Sequence, residues 1–113
     1  MKYLLFAFAV SLLTGATCNR ISSDTPACIE RKIEQIKAEP KWNPAGEVNE
    51  YQYDGRRVFL FSANCCDQYH VLYDENCTVV CSPFGGFSGR GDGKCPDFNQ
   101  KAKHVRLVWR DDR

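Results

Sequence analysis

Val48-Asn49-Glu50-Tyr51-Gln52-Tyr53-Asp54-Gly55-Arg56-Arg57-Val58-Phe59-Leu60-Phe61-Ser62-Ala63 is the stretch from which the architecture follows. Two runs rich in aromatic and β-branched residues flank Asp54-Gly55, the strongest two-residue hairpin signal, suited to a type I′ turn. Pairing outward from that turn sets Tyr51 opposite Val58 and Asn49 opposite Leu60. Tyr51, Tyr53, Val58 and Leu60 then share one face. Val48, Phe59 and Phe61 share the other with Glu50 and Arg57. Aromatic residues on both faces predict a sheet covered at least in part on each side.

A helix is expected N-terminal to the hairpin. Thr25-Pro26 reads as an N-cap followed by proline at the first helical position, and Ile29, Ile33 and Ile36 fall on one stripe. Pro40 ends the pattern. C-terminal to the hairpin, Tyr69–Tyr73 and Cys77–Ser82 form a second hairpin around Asp74-Glu75-Asn76, with Cys77, Val79 and Cys81 on one face. In a final strand Val105, Leu107 and Trp109 alternate with His104, Arg106 and Arg110, a half-buried strand with a basic outer face. The expected class is α+β: one N-terminal helix packed on an antiparallel sheet of about five strands and stapled by disulfides.

Residues 1–17 read as a secretory signal: Lys2, the apolar run Leu4 to Leu13, and small residues from Thr14 to Thr17. That run is too short to span a bilayer, which takes ~20 residues. Residues 18–24 form a short polar leader and residues 25–113 one small domain. The chain holds seven cysteines, an odd number for an oxidising compartment. Lipidation of Cys18 leaves Cys28, Cys65, Cys66, Cys77, Cys81 and Cys95 to pair, whereas Gly15 occupies the place where a lipoprotein signal carries leucine. Cleavage after Ala16 is the alternative. The adjacent Cys65 and Cys66 point opposite ways in extended chain, which favours bonds to two different partners over a bond to each other.

Pro83 to Pro96 holds five of the eight glycines and lies between Cys81 and Cys95. So loose a segment calls for pinning, and disulfides are the available means. Phe84, Phe87, Arg90, Asp92 and Lys94 are its candidate contact residues. Asp92 and Asp97 are too few for a calcium site and lack its loop pattern, and no phosphate-binding glycine motif occurs. Arg90-Gly91-Asp92 is read as turn chemistry rather than as an adhesion signal. The cysteines lack the paired spacing of zinc knuckles, and a cysteine nucleophile served by His70 or His104 needs a thiol free of disulfides. No catalytic residues, metal or cofactor are expected. Without Lys2 the basic and acidic residues balance at 14 each, which gives no ground for nucleic-acid or anionic-membrane binding.

Several motifs together resemble a known family. They are Cys28-Ile29, Trp42-Asn43-Pro44, Cys65-Cys66-Asp67-Gln68, Leu72-Tyr73-Asp74, Cys81-Ser82-Pro83, Gly85-Gly86, Gly89, Gly91 through Phe98, and Trp109-Arg110-Asp111. The combination is similar to an uncharacterised family, a domain of unknown function found in small exported or lipid-anchored proteins of Bacteroidota-type bacteria. The resemblance implies a cell-envelope or secreted location and carries over no activity or catalytic residue. The lack of a catalytic constellation beside a long loop of unusual composition points to an extracytoplasmic, non-enzymatic binding domain that uses the glycine-rich loop. Its partner is an envelope or extracellular protein or glycan, with membrane contact only through a lipid at Cys18. The alternative is an inhibitor of exported proteases or other hydrolases, and behind it a cysteine-based hydrolase or redox protein.

Overall fold

The fold is described from a computed structural model covering residues 20–113, so the signal over 1–17 and the lipidation candidate Cys18 lie outside the described residues. Asp54 (φ 50°) and Gly55 (φ 74°) both adopt the left-handed conformation that a type I′ turn demands. They join β1 (Glu47–Tyr53) to β2 (Arg56–Phe61) in the expected register, Tyr51 opposite Val58 and Asn49 opposite Leu60. β3 (Tyr69–Asp74), β4 (Val79–Gly85) and β5 (Lys103–Arg110) complete one antiparallel sheet in the order β4-β3-β2-β1-β5. With α1 (Ala27–Lys37) packed on it, the class is α+β.

Both faces are covered. Ile29, Ile33 and Ile36 of α1 bury against Val48, Phe59, Phe61, Val108 and Trp109, and each aliphatic side chain so buried contributes about 1.5–3 kcal/mol. Glu50 lies buried on this face, gripped by Arg57 (3.0 Å to each carboxylate oxygen) and by Arg106 at 3.2 Å. On the opposite face Tyr53, Val58, Leu60, Leu72 and Cys81 pack with Cys95 and Phe98. Phe98 opens α2 (Phe98–Lys101), a single turn.

Helix α1 starts one residue later than expected. Pro26, not Thr25, is the N-cap, because its carbonyl accepts from the N–H groups of Ile29 and Glu30. Thr25 Oγ1 donates instead to the Ser22 carbonyl at 2.6 Å. At the other end the Arg113 guanidinium donates to the carbonyls of Lys37 (2.9 Å) and Glu39 (2.8 Å), groups a helix terminus leaves unpaired. Buried Asp111 orients that guanidinium at 2.7 and 2.9 Å, and the pairing holds the Asp111 carboxyl below its ordinary range.

Two strands depart from simple alternation, and register slips explain both. Tyr73 pairs with Val79 but Leu72 with Cys81, so Val80 is an extra residue that reverses the parity of β4. Cys81 therefore enters the core opposite α1 instead of sharing a face with Cys77 and Val79. Slips between Val48/Asn49 and Glu50/Tyr51 act likewise on β5. Val108 and Trp109 both enter the α1-side core, while Val105 and Leu107, expected inside, are exposed. Arg106, expected on the outer face, turns in to Glu50.

Cys28–Cys77 ties α1 to the turn before β4, and Cys81–Cys95 ties β4 to the loop after it. Cys65 and Cys66 bond to each other, against the expectation of separate partners. That expectation assumed extended backbone. The pair instead occupies a turn, with Cys66 at φ 57° and the Gln68 N–H donating to the Cys65 carbonyl at 3.2 Å.

Candidate functional site

β4 and β5 lie at opposite edges of the sheet, so residues 86–102 must cross it, and they do so over the face that α1 leaves open. Phe98 is the keystone of this crossing. Its ring meets Tyr51 (centroids 5.1 Å apart), Tyr53 (5.4 Å) and Phe84 (5.7 Å), edge-on or tilted in each case. Behind it the Tyr53 hydroxyl donates to Asp97 at 2.5 Å, and Asp97 pairs with Lys101 at 3.0 Å. The bond to Asp97 pushes the Tyr53 phenol up to about 12 and, with Lys101, holds the Asp97 carboxyl below its usual range. A phenol so reluctant to ionise serves as a donor, not as a base.

The glycine-rich segment is stitched to the free edge of β4. Asp92 N–H donates to the Ser82 carbonyl (2.9 Å), and its carboxylate accepts from the N–H groups of Ser82 (3.1 Å) and Lys94 (3.0 Å). Gly91 N–H donates to the Gly85 carbonyl at 3.0 Å. An open strand edge is thereby satisfied from within the chain. The approach is tight: a Cβ on Gly91 would stand 2.1 Å from the Ser82 oxygen.

These contacts divide the five candidate residues. Asp92 spends both carboxylate oxygens on backbone, which leaves an Arg-Gly-Asp adhesion ligand without its acid. Phe84 is half-buried against Phe98 and forms a wall rather than a protruding contact. Phe87, Arg90 and Lys94 remain exposed, Phe87 by 97 %. Arg90 and Lys94 form no ion pair among the described residues. Arg90 and Phe84 also line a depression of about 430 Å³ floored by Cys95 and Phe98.

A second hollow, of about 370 Å³, lies on the α1 side, where Trp42, Phe61, Tyr69 and Tyr73 meet Gln35 and Gln68. Trp42-Asn43-Pro44, one of the family motifs, contributes Trp42 to this hollow. Trp42 follows the helix-ending Pro40 and is half-buried against the α1-side core. Lys32 Nζ sits 4.4 Å from the Tyr73 ring centre, and Trp42 donates to Glu39 at 2.8 Å.

His104 is exposed and bonded to Asn49 at 2.8 Å, and His70 faces Phe84 across the β3–β4 ladder. Every cysteine among the described residues is in a disulfide, and no group of three or more His, Cys, Asp or Glu there could hold a metal. Three disulfides fit a non-cytoplasmic protein. No described helix is long and apolar enough to cross a membrane.

No curated protein and no solved structure matches the chain. A family model does, over residues 34–111, and its description is Domain of unknown function (DUF6970). The match opens inside α1 and takes in Cys65, Cys66, Cys77, Cys81, Cys95 and the whole glycine-rich crossing, leaving Cys28 outside. With most of its length matched, sheet and crossing segment included, the chain belongs to the DUF6970 family.

Proposed function

We propose that this protein is an extracytoplasmic, non-enzymatic binding module whose contact point is the tip of the glycine-rich segment. One observation carries the reading: Phe87 is 97 % exposed on a segment otherwise pinned by Cys81–Cys95 and Asp92. A large aromatic side chain held out in water by a pinned loop is pre-organised for insertion, and aromatic anchors of this kind dominate binding energy. The exposed cations Arg90 and Lys94, without an ion pair among the described residues, suit a partner with acidic groups around an apolar pocket, on an envelope or extracellular protein or glycan. Anchoring through Cys18 or release after Ala16 places the module in the envelope or outside it.

The test is capture from envelope and extracellular fractions with affinity measured on the isolated partner. Phe87→Ala should weaken binding about thirtyfold, and Arg90→Ala with Lys94→Ala should weaken it further at low salt than at high salt. Unchanged binding by Phe87→Ala, with the fold intact, contradicts the reading. A second reading, inhibition of exported proteases or other hydrolases, is favoured by the same protruding ring on a braced loop. Inhibition of a hydrolase panel that disappears in Phe87→Ala would select it.

A further inference from the structure

The three disulfides differ in a way that their shared role as staples does not explain. Cys28–Cys77 closes a sequence separation of 49 and Cys81–Cys95 one of 14, so each restricts the unfolded chain. Cys65–Cys66 joins neighbours and closes no loop, so that source of stability is missing. Exposure separates them too. Cys81 and Cys95 are 1 % and 7 % exposed, and Cys28 and Cys77 are half-buried against the α1-side core. Cys66 is exposed and Cys65 half-buried, in a connection between β2 and β3 that belongs to neither core cluster. Breaking the bond costs the fold nothing that either cluster depends on.

We infer that Cys65–Cys66 is a thiol–disulfide exchange site for dithiol partners, while the other two bonds are structural. An attacking thiolate of the partner reaches the accessible Cys66 Sγ and forms a mixed disulfide. The electron pair of the Cys65–Cys66 bond passes to Cys65 Sγ, which takes a proton from water. The partner's second thiolate then attacks the mixed disulfide and releases the Cys66 thiolate, which is protonated in turn. The partner dithiol leaves oxidised to a disulfide, and Cys65 and Cys66 are left as two thiols. Released from the ring, Cys66 is free to leave the left-handed backbone (φ 57°) in which the turn holds it. The turn also touches the glycine-rich segment, because the Gln68 carbonyl accepts from Gly86 N–H at 3.3 Å. The exchange site therefore lies at the root of the loop that carries Phe87.

Oxidised protein is incubated with graded dithiothreitol or glutathione, quenched, alkylated and mapped by peptide mass spectrometry, with circular dichroism in parallel. Cys65 and Cys66 should be alkylated on the order of tenfold faster than the other four cysteines, with the fold retained. Dithiothreitol should carry the pair to two thiols, whereas glutathione should also leave mixed disulfide on Cys66. The double variant Cys65→Ser/Cys66→Ser should fold with an unchanged melting temperature and lose the fast phase. Three bonds opening together, Cys65–Cys66 opening last or not at all, or a fold that collapses as this pair is reduced would each overturn the assignment.

Discussion

The phenol of Tyr53 shows how one side chain reports the packing of a whole segment. It is buried beneath Phe98 and donates to Asp97, the residue that precedes α2. Hydrogen bonding to Asp97, then burial, then the Asp97 charge raise its pKa from 10.0 to about 12. A group whose folded value is raised stabilises the fold fully below its unfolded value and loses that contribution as pH rises through the folded one. The Tyr53 contribution is therefore intact up to about pH 10 and disappears near pH 12. An absorbance titration should show a tyrosine step near pH 12, and Tyr53→Phe should remove that late step. A titration without it would show that the crossing segment does not seat on Tyr53.

Among the elements, α1 and the β1–β2 hairpin were legible because each rests on a local, repeated pattern. Ile29, Ile33 and Ile36 recur at helical spacing, and Asp54-Gly55 sets a register that pairs Tyr51 with Val58. β4 and β5 were legible as strands but not in their facing. Extra residues at register slips, Val80 among them in β4 and those opposite Val48–Tyr51 in β5, reverse side-chain parity without changing composition. The loop's glycines were visible but not their separate duties. Gly91 meets the Ser82 oxygen, whereas Gly93 has open space around its Cα. Gly91→Ala should cost at least about 2 kcal/mol, since it combines a left-handed backbone with a backbone clash. Gly93→Ala, at φ 77°, should cost about 1 kcal/mol from its backbone alone. Urea unfolding of the two variants measures the difference, and equal losses would mean that the segment is not stitched to β4.

Over the whole molecule, the candidate site was legible as a place but not as a structure. Five residues of the glycine-rich segment were singled out, and only Phe87, Arg90 and Lys94 face outward. Asp92 and Phe84 serve the fold because β5 docks beside β1, at the edge far from β4, and the connecting chain must cover the sheet on its way. No local pattern encodes that crossing, since strand order depends on contacts between residues far apart in sequence. Two of the three disulfide pairings are non-local for the same reason, and the third, Cys65–Cys66, depends on a local turn rather than extended chain. Two of the bonds then hold the molecule together at long range. By loop closure, Cys28–Cys77 contributes about 4 kcal/mol and Cys81–Cys95 about 3 kcal/mol. The second also closes the base of the segment that holds Phe87 out.

Non-reducing proteolysis with mass-spectrometric mapping of the intact protein tests this arrangement most directly. The expected products are a peptide pair joined by Cys28–Cys77, a second joined by Cys81–Cys95, and a single peptide holding Cys65 and Cys66 that is two hydrogens lighter than its reduced form. A bond from Cys65 or Cys66 to any other cysteine, or a free thiol at Cys81 or Cys95, would contradict a stapled crossing segment that presents Phe87.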